Sequence, residues 1–227
     1  MQRIPSITLC CLALALLLAA ACKKDTVTAP GYEDGVSTVI YDLPGDTGTT
    51  VGGDSARPFR DFYFNFSERR KITDTAVKQT LDWDIAFTDI YNSMIAVNSG
   101  ANKKSPGYGG AGKGAIVYYD KPYASITEAP SDEYFAANDL GRIGWDGYPT
   151  PADKGWYFYT LTTHIAVPLQ NRTFVLRTAS GKYAKLEIIN IYKGNPPAVT
   201  DMMWPVPYFT FRYYVQENGS RNLSTPQ

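Results

Sequence analysis

The chain predicts an all-β fold: one antiparallel β domain with at most one short helix, carried behind an N-terminal leader and tether. Three observations predict it. Seventeen Tyr and ten Phe make the chain aromatic-rich, and aromatic side chains favour the pleated, half-buried surface of a strand. Apolar residues recur with a period of two in many short segments, as strands with one buried face require. Gly, Pro, Asn and Asp fill the gaps between those segments, and no alternation of strands with long helices runs through them.

Taken in order, Ser37–Asp42 is the first apolar run that reads as a strand. Phe62, Phe64 and Phe66 then share one face, with Tyr63 and Asn65 on the other. Trp83, Ile85 and Phe87 alternate with Asp82, Asp84, Ala86 and Thr88. Met94–Asn98 and Ala115–Tyr119 follow as shorter strands. Ser131–Asn138 is the one helical segment, with Ser131 as N-cap and Asp132 and Glu133 in the first turn. Trp156–Thr160, Thr173–Arg177 and Tyr183–Tyr192 are further strands. Ala179-Ser180-Gly181-Lys182 joins the last two as a hairpin, with Gly181 free to take positive φ. Phe209, Phe211, Tyr213 and Val215, alternating with Tyr208, Thr210, Arg212 and Tyr214, complete the set.

The leader precedes all of this. Arg3 gives a positive start, an apolar run extends from Ile7 to Leu18, and Ala19-Ala20-Ala21 offers small side chains to a peptidase before Cys22. That order is a secretory signal, and the run is short for a membrane span. The cysteine after three alanines resembles the bacterial lipobox, with Leu18 one position further from the cysteine than that motif places it. The expected organisation is therefore a signal peptide over 1–21, a lipidated Cys22 with a flexible tether over 22–36, a β domain over 37–216 and a polar, frayed tail over 217–227.

Composition excludes several functions. Lys and Arg total 22 against 22 Asp and Glu, and no basic block stands out, so nucleic acid is not an expected partner. Cys10, Cys11 and Cys22 all lie at or before the lipidation point, so the folded domain has neither a disulfide nor a thiolate metal site. A single histidine, His164, excludes a His-cluster metal hydrolase. No Gly-x-Ser-x-Gly elbow accompanies it, so Ser-His-Asp chemistry is not expected. Gly107–Gly114 is rich in glycine, but a strand follows it rather than a helix, and Gly follows Lys113 where a phosphate loop has Ser or Thr. It reads as a flexible hairpin or a ligand-edge loop. Asp82 and Asp84 share a strand side and read as a solvated face without an opposing wall. The chain is not expected to be an enzyme.

The remaining chemistry is one imidazole and the thioethers. His164 follows the aromatic run Trp156–Tyr159, and Met202-Met203-Trp204-Pro205 is an apolar loop between strands. Imidazole and thioether both ligate haem iron. The alternative is that His164 is an ordinary histidine and the methionines fill gaps.

Ordered landmarks add to this. They are Leu81-Asp82-Trp83-Asp84-Ile85-Ala86, Asn98-Ser99-Gly100, the Gly107–Gly114 loop, Asp139-Leu140-Gly141-Arg142-Ile143, Gly155-Trp156, Asn171 to Arg177, Gly181 to Lys185, and Phe209-Thr210-Phe211-Arg212-Tyr213. The succession resembles the HmuY family, haem-binding lipoproteins of Bacteroidetes-type bacteria, over nearly all of the mature domain. That resemblance implies an all-β haemophore that captures haem without catalysis and passes it to a TonB-dependent outer-membrane receptor. It implies an outer-membrane lipoprotein, periplasmic or surface-exposed, and Asp25 soon after Cys22 fits surface-export signals of such bacteria.

It also implies two axial histidines, and here this chain departs from the best-known members. The loop that holds the first is Gly144–Lys154, which has Trp145 and Tyr148 but no His. The position of the second is Leu161. His164 falls three residues further on, which reverses its facing if the strand continues there. Relatives also use methionine. The axial candidates are His164, then Met202 and Met203, then Tyr148. A His–Met pair, a Met–Met pair, a single ligand and a haem-free protein all stay open. The competing class is a surface interaction module that binds glycan or protein without a cofactor.

Overall fold

The computed structural model describes residues 31–52, 56–147 and 154–226. The leader, Cys22 and Tyr148 lie outside them. The strands are β1 (Thr38–Pro44), β2 (Phe62–Asn65), β3 (Arg70–Ile72), β4 (Ile85–Thr88), β5 (Met94–Val97), β6 (Ala115–Tyr119), β7 (Arg142–Ile143), β8 (Tyr157–Tyr159), β9 (Ala166–Pro168), β10 (Thr173–Arg177), β11 (Tyr183–Asn190) and β12 (Tyr208–Gln216), with one α-helix, α1 (Asp132–Asn138). Every segment read as a strand contains one. Ser131 caps α1 as expected, its hydroxyl accepting from the Tyr134 amide at 3.2 Å. Gly181 turns the β10–β11 hairpin at φ 91°.

Two five-stranded antiparallel sheets form, in the orders β1-β12-β11-β10-β6 and β3-β2-β4-β5-β7, with β8-β9 as a separate hairpin. Their inner faces make one core. Phe174, Leu176, Leu186, Phe209, Phe211 and Tyr213 from the first sheet meet Phe62, Phe64, Ile85, Phe87, Ile95 and Val97 from the second. Phe62 and Phe87 pack with centroids 4.5 Å apart, and Phe87 and Phe209 with centroids 4.6 Å apart. Such pairs add to the burial of apolar area that drives the sheets together.

The outer faces depart from simple one-sided alternation. Tyr63, read as facing out, is fully buried with Trp83, Ile72 and Ala86 in a second small core. Trp83 therefore lies on the opposite side from Ile85 and Phe87, because β4 begins only at Ile85 and alternation holds only inside a ladder. Asp84 is not solvated: it is buried, and its carboxylate accepts from the Phe66 amide at 2.9 Å and the Ala179 amide at 3.0 Å. Burial raises its pKa, and those two amides oppose the rise. On the first sheet, α1 lays Phe135 over Val117 and Val175.

The chain after Glu217 was expected to fray. Instead Leu223 is fully buried beside Phe135 and Val175, and its amide donates to the Thr127 carbonyl. Lys185, also fully buried, donates to the Tyr123 and Ile126 carbonyls and to Thr225 Oγ1 at 2.9–3.1 Å, so a β-strand lysine holds the terminal segment.

Both sheets share two ends. At one, the Thr178–Lys182 turn, Asp84 and the Gly107–Gly114 loop come together. At the other lie the β8–β9 hairpin, the Asp89–Ser93 turn and the β11–β12 loop.

Candidate functional site

The second end carries the candidate ligands. β8 stops at Tyr159, and Thr160–Ile165 is a turn, so the condition for His164 to reverse its facing is not met. The Thr163 amide donates to Thr160 Oγ1 at 3.0 Å, and the His164 amide donates to the Thr160 carbonyl at 2.9 Å. Closing that loop puts His164 at φ 55°, a left-handed conformation uncommon outside glycine, in which Asn, Asp and His are the enriched side chains. Its ring is exposed, and Nδ1 lies 2.8 Å from the Tyr159 hydroxyl. Nε2 has no hydrogen-bond partner among the described residues. Leu161, 63% exposed, projects from the same turn.

Tyrosines fix the hairpin. Tyr192 accepts from the Ala166 amide at 2.8 Å, which ties β9 to the end of β11, and the Tyr157 and Ser93 hydroxyls meet at 3.1 Å. Burial raises the pKa of Tyr157, Tyr159 and Tyr192, so these phenols stay protonated at neutral pH.

Met202 and Met203 are 62% and 81% exposed on the β11–β12 loop. Their neighbours Val199, Trp204 and Val206 turn inward onto the core. Trp204 Nε1 donates to the Lys193 carbonyl, and the Lys193 amide donates to the Pro205 carbonyl, at 2.9 and 3.0 Å. The histidine turn and the methionine loop are thus both anchored on Tyr192–Lys193, although no contact joins imidazole to sulfur. Met94 is different: it is half-buried, and its thioether fills the place a side chain at residue 144 would need.

The Gly144–Lys154 loop is held at its two ends. Arg172 pairs with the buried Asp146, donates to the Gly155 carbonyl at 2.9 Å, and reaches Asp120 at 2.6 Å. The Gly155 amide also donates to Asp146, at 3.0 Å. Sequence reading missed this clamp, since nothing in the spacing of Asp146 and Arg172 signals that they meet. It also missed Tyr159 as the partner of His164, although the i, i+5 separation across a Thr-rich turn was visible.

Seven of the eight non-glycine residues with positive φ among those described sit at this end: Asp42, Asp89, Tyr91, Asn92, His164, Asn171 and Asn195. Asp89, at φ 66° and ψ −164°, lies in a region nearly restricted to glycine. Exposed apolar side chains also gather here, with Val51, Ile90, Trp145 and Val167 joining Leu161 and the methionines. A cleft of about 540 Å³ opens among Val51, Phe59, Asp61, Asp89 and Ile90. Neither that cleft nor a second of about 630 Å³ at the opposite end is lined by His164, Met202 or Met203.

The glycine-rich loop has another role than the flexible one expected. The Gly100 amide donates to the Gly112 carbonyl at 2.8 Å, and the Gly114 amide to the Asn98 carbonyl at 2.7 Å. A Cβ on Gly114 would stand 2.4 Å from the Asn98 oxygen, so glycine is needed for close backbone approach. No helix among the described residues is long and apolar enough to cross a membrane.

No curated protein matches the chain. Among solved structures, similarity extends to the apo HmuY analog of Tannerella forsythia, 13% identical over 81% of this chain and 99% of that one, TM-score 0.44. It extends also to a Bacteroides vulgatus protein described as HmuY-like and heme binding, 16% identical over 78% and 90%, TM-score 0.36. A Bacteroides fragilis protein described as a lipoprotein is 11% identical over 81% and 90%, TM-score 0.36. The model of the HmuY protein family matches residues 60–203, well over half of the sequence, and the chain belongs to the HmuY family.

Proposed function

We propose that this protein is a haemophore-like lipoprotein of the outer membrane that captures haem and delivers it to a TonB-dependent receptor, with no catalytic step. Family membership supports the ligand, and one observation carries the site: His164 is exposed on a tyrosine-braced turn with one ring nitrogen engaged and the other open. Metal-bound histidines characteristically have the second ring nitrogen held by a neighbour. With the Tyr159 oxygen accepting from Nδ1–H, the Nε2 lone pair is the one left for iron. The donor set fits haem, since imidazole, thioether and exposed apolar side chains stand at one end of the sandwich. Bound haem would supply the iron and the visible absorption. His164 is the first axial ligand in this reading, Met202 or Met203 the second, and Tyr148 a reserve.

Cys22 carries the lipid in this reading. An acyl anchor holds the captor beside its receptor and raises the effective concentration of one for the other. Cys22→Ala should move the protein from the membrane to the soluble fraction, which fractionation reads directly.

The ligand assignment is tested by titrating the full chain with haemin and following the visible spectrum. The parent should give a saturable, shifted Soret band, which His164→Ala abolishes or moves and Met202→Ala/Met203→Ala alters. Spectra unchanged in both variants would remove these ligands. A parent without any shift would remove haem. The second reading is a cofactor-free module that binds glycan or protein, and one observation favours it: the candidate ligands line neither cleft. Glycan-array binding by a protein silent to haemin would establish it.

A further inference from the structure

The cleft of about 630 Å³ lies at the end opposite His164, between α1, the Ser99–Lys103 segment and the Gly112–Ala115 edge of the glycine-rich loop. Its size suits a small organic ligand. Three cations line it, Lys103, Lys113 and Arg177, against two carboxylates, Asp132 and Asp139. Both carboxylates are already engaged. Asp139 accepts from the Ile116 and Gly141 amides and from Asn102 Nδ2, at 2.8–2.9 Å. Asp132 accepts from Arg177 and the Tyr183 hydroxyl, each at 2.9 Å.

The lysines are not engaged. Neither Lys103 nor Lys113 has a carboxylate within ion-pair distance among the described residues. Ser99 is only 4% exposed and lines the cleft, yet its hydroxyl makes no hydrogen bond among the described residues. Solvent reaches that hydroxyl, so a ligand in the cleft can take the place of water on it. The backbone beneath is rigid, because Arg177 donates twice to the Lys113 carbonyl and the Lys113 amide donates to the Ala179 carbonyl at 3.0 Å. Ala101, Ala115 and Ala136 give a narrow apolar strip beside these polar groups.

We infer that this cleft binds a small polyhydroxylated oxyanion, of the sugar-acid or sugar-phosphate class, with Lys103 and Lys113 meeting the anion and Ser99 a ligand hydroxyl. The excess of unpaired donors asks for negative charge, and the mostly polar lining excludes a greasy ligand. The site is independent of haem and lies at the far end of both sheets from His164.

Calorimetric titration of the full chain with glucuronate, glucose 6-phosphate, glucose and inorganic phosphate tests it. Glucuronate or glucose 6-phosphate should saturate, more weakly at high salt, and glucose should not. Lys103→Gln/Lys113→Gln should weaken binding about tenfold or more, one unpaired ion contact being worth that much. Ser99→Ala should weaken it less, and Lys121→Gln, remote from the cleft, should leave it unchanged. Phosphate binding as well as glucose 6-phosphate would mean an adventitious ion only, and would overturn the inference. So would the absence of saturable heat with both charged sugars, or equal binding by the double variant.

Discussion

The two ends of the sandwich solve opposite problems with the same kind of loop. At the glycine end, backbone meets backbone: Gly100 and Gly114 let strands and loop touch, and Asp84 sews Phe66 to Ala179 across the sheets. At the hairpin end, side chains with no place inside are left in solvent, and residues such as Tyr91 and His164 hold left-handed backbone without being glycine. Each such residue costs on the order of 1 kcal/mol or more, and strain of this kind persists where surrounding structure fixes it. The glycine end is thus held by close backbone contacts, while the hairpin end combines exposed apolar side chains with left-handed backbone at non-glycine residues.

The sharpest way to break that contrast is to damage the glycine end. Asp84→Ala orphans two buried amides and should destabilise the domain by about 3 kcal/mol, since each unmade bond costs roughly 1–3 kcal/mol. Gly114→Ala, with backbone rather than a movable side chain in the way, should cost about 2 kcal/mol, an ordinary overpacking penalty. Urea unfolding measures both. If either variant unfolds at the midpoint of the parent, this end is not where the fold is held.

A smaller effect comes from the outer face, where the chain's end is held by Lys185. Burial, opposed by Asp34 and helped slightly by Arg212, lowers the Lys185 pKa to about 8. An unfolded lysine titrates near 10.4, so between about pH 8 and 10 the unfolded chain binds more protons and stability rises with pH from this group. Below that window both states are protonated and the contribution is flat. Lys185→Met should remove the rise, measured as the difference between parent and variant in denaturant midpoints across that range. A parallel pair of pH curves would mean that the ammonium is fully compensated by its three oxygen acceptors.

These regions were unequally legible in the sequence. The inner core was readable because Phe62, Phe64, Phe209 and Phe211 alternate without interruption. The α1 cap and the Gly181 turn were readable because each depends on one local residue. What failed was non-local. Tyr63 looked exposed because alternation reports one buried face and cannot announce that Trp83 and Ile72 cover the other. Asp84 looked solvated because its partners lie 18 and 95 residues away. The short strands β3, β7 and β9 hold too few residues to show a period. At the hairpin end the sequence singled out His164 and the methionines by residue type, but not the break after Tyr159 that sets how His164 is presented.

The smallest expected effects belong to that end, and their smallness is the point. His164→Ala removes an exposed ring and one exposed hydrogen bond, and Met203→Ala trims a side chain 81% in solvent. Surface changes of this kind fall within about 0.5 kcal/mol. Replacing His164 by Gly should instead stabilise slightly, because φ 55° costs glycine nothing. If glycine proves more stable there, the turn does not need the imidazole, as the proposed ligand role for His164 requires. Denaturant curves of His164→Ala and His164→Gly decide this. If both lose more than about 1 kcal/mol, beyond the surface range, His164 is a structural residue of the turn and the display argument fails at its centre.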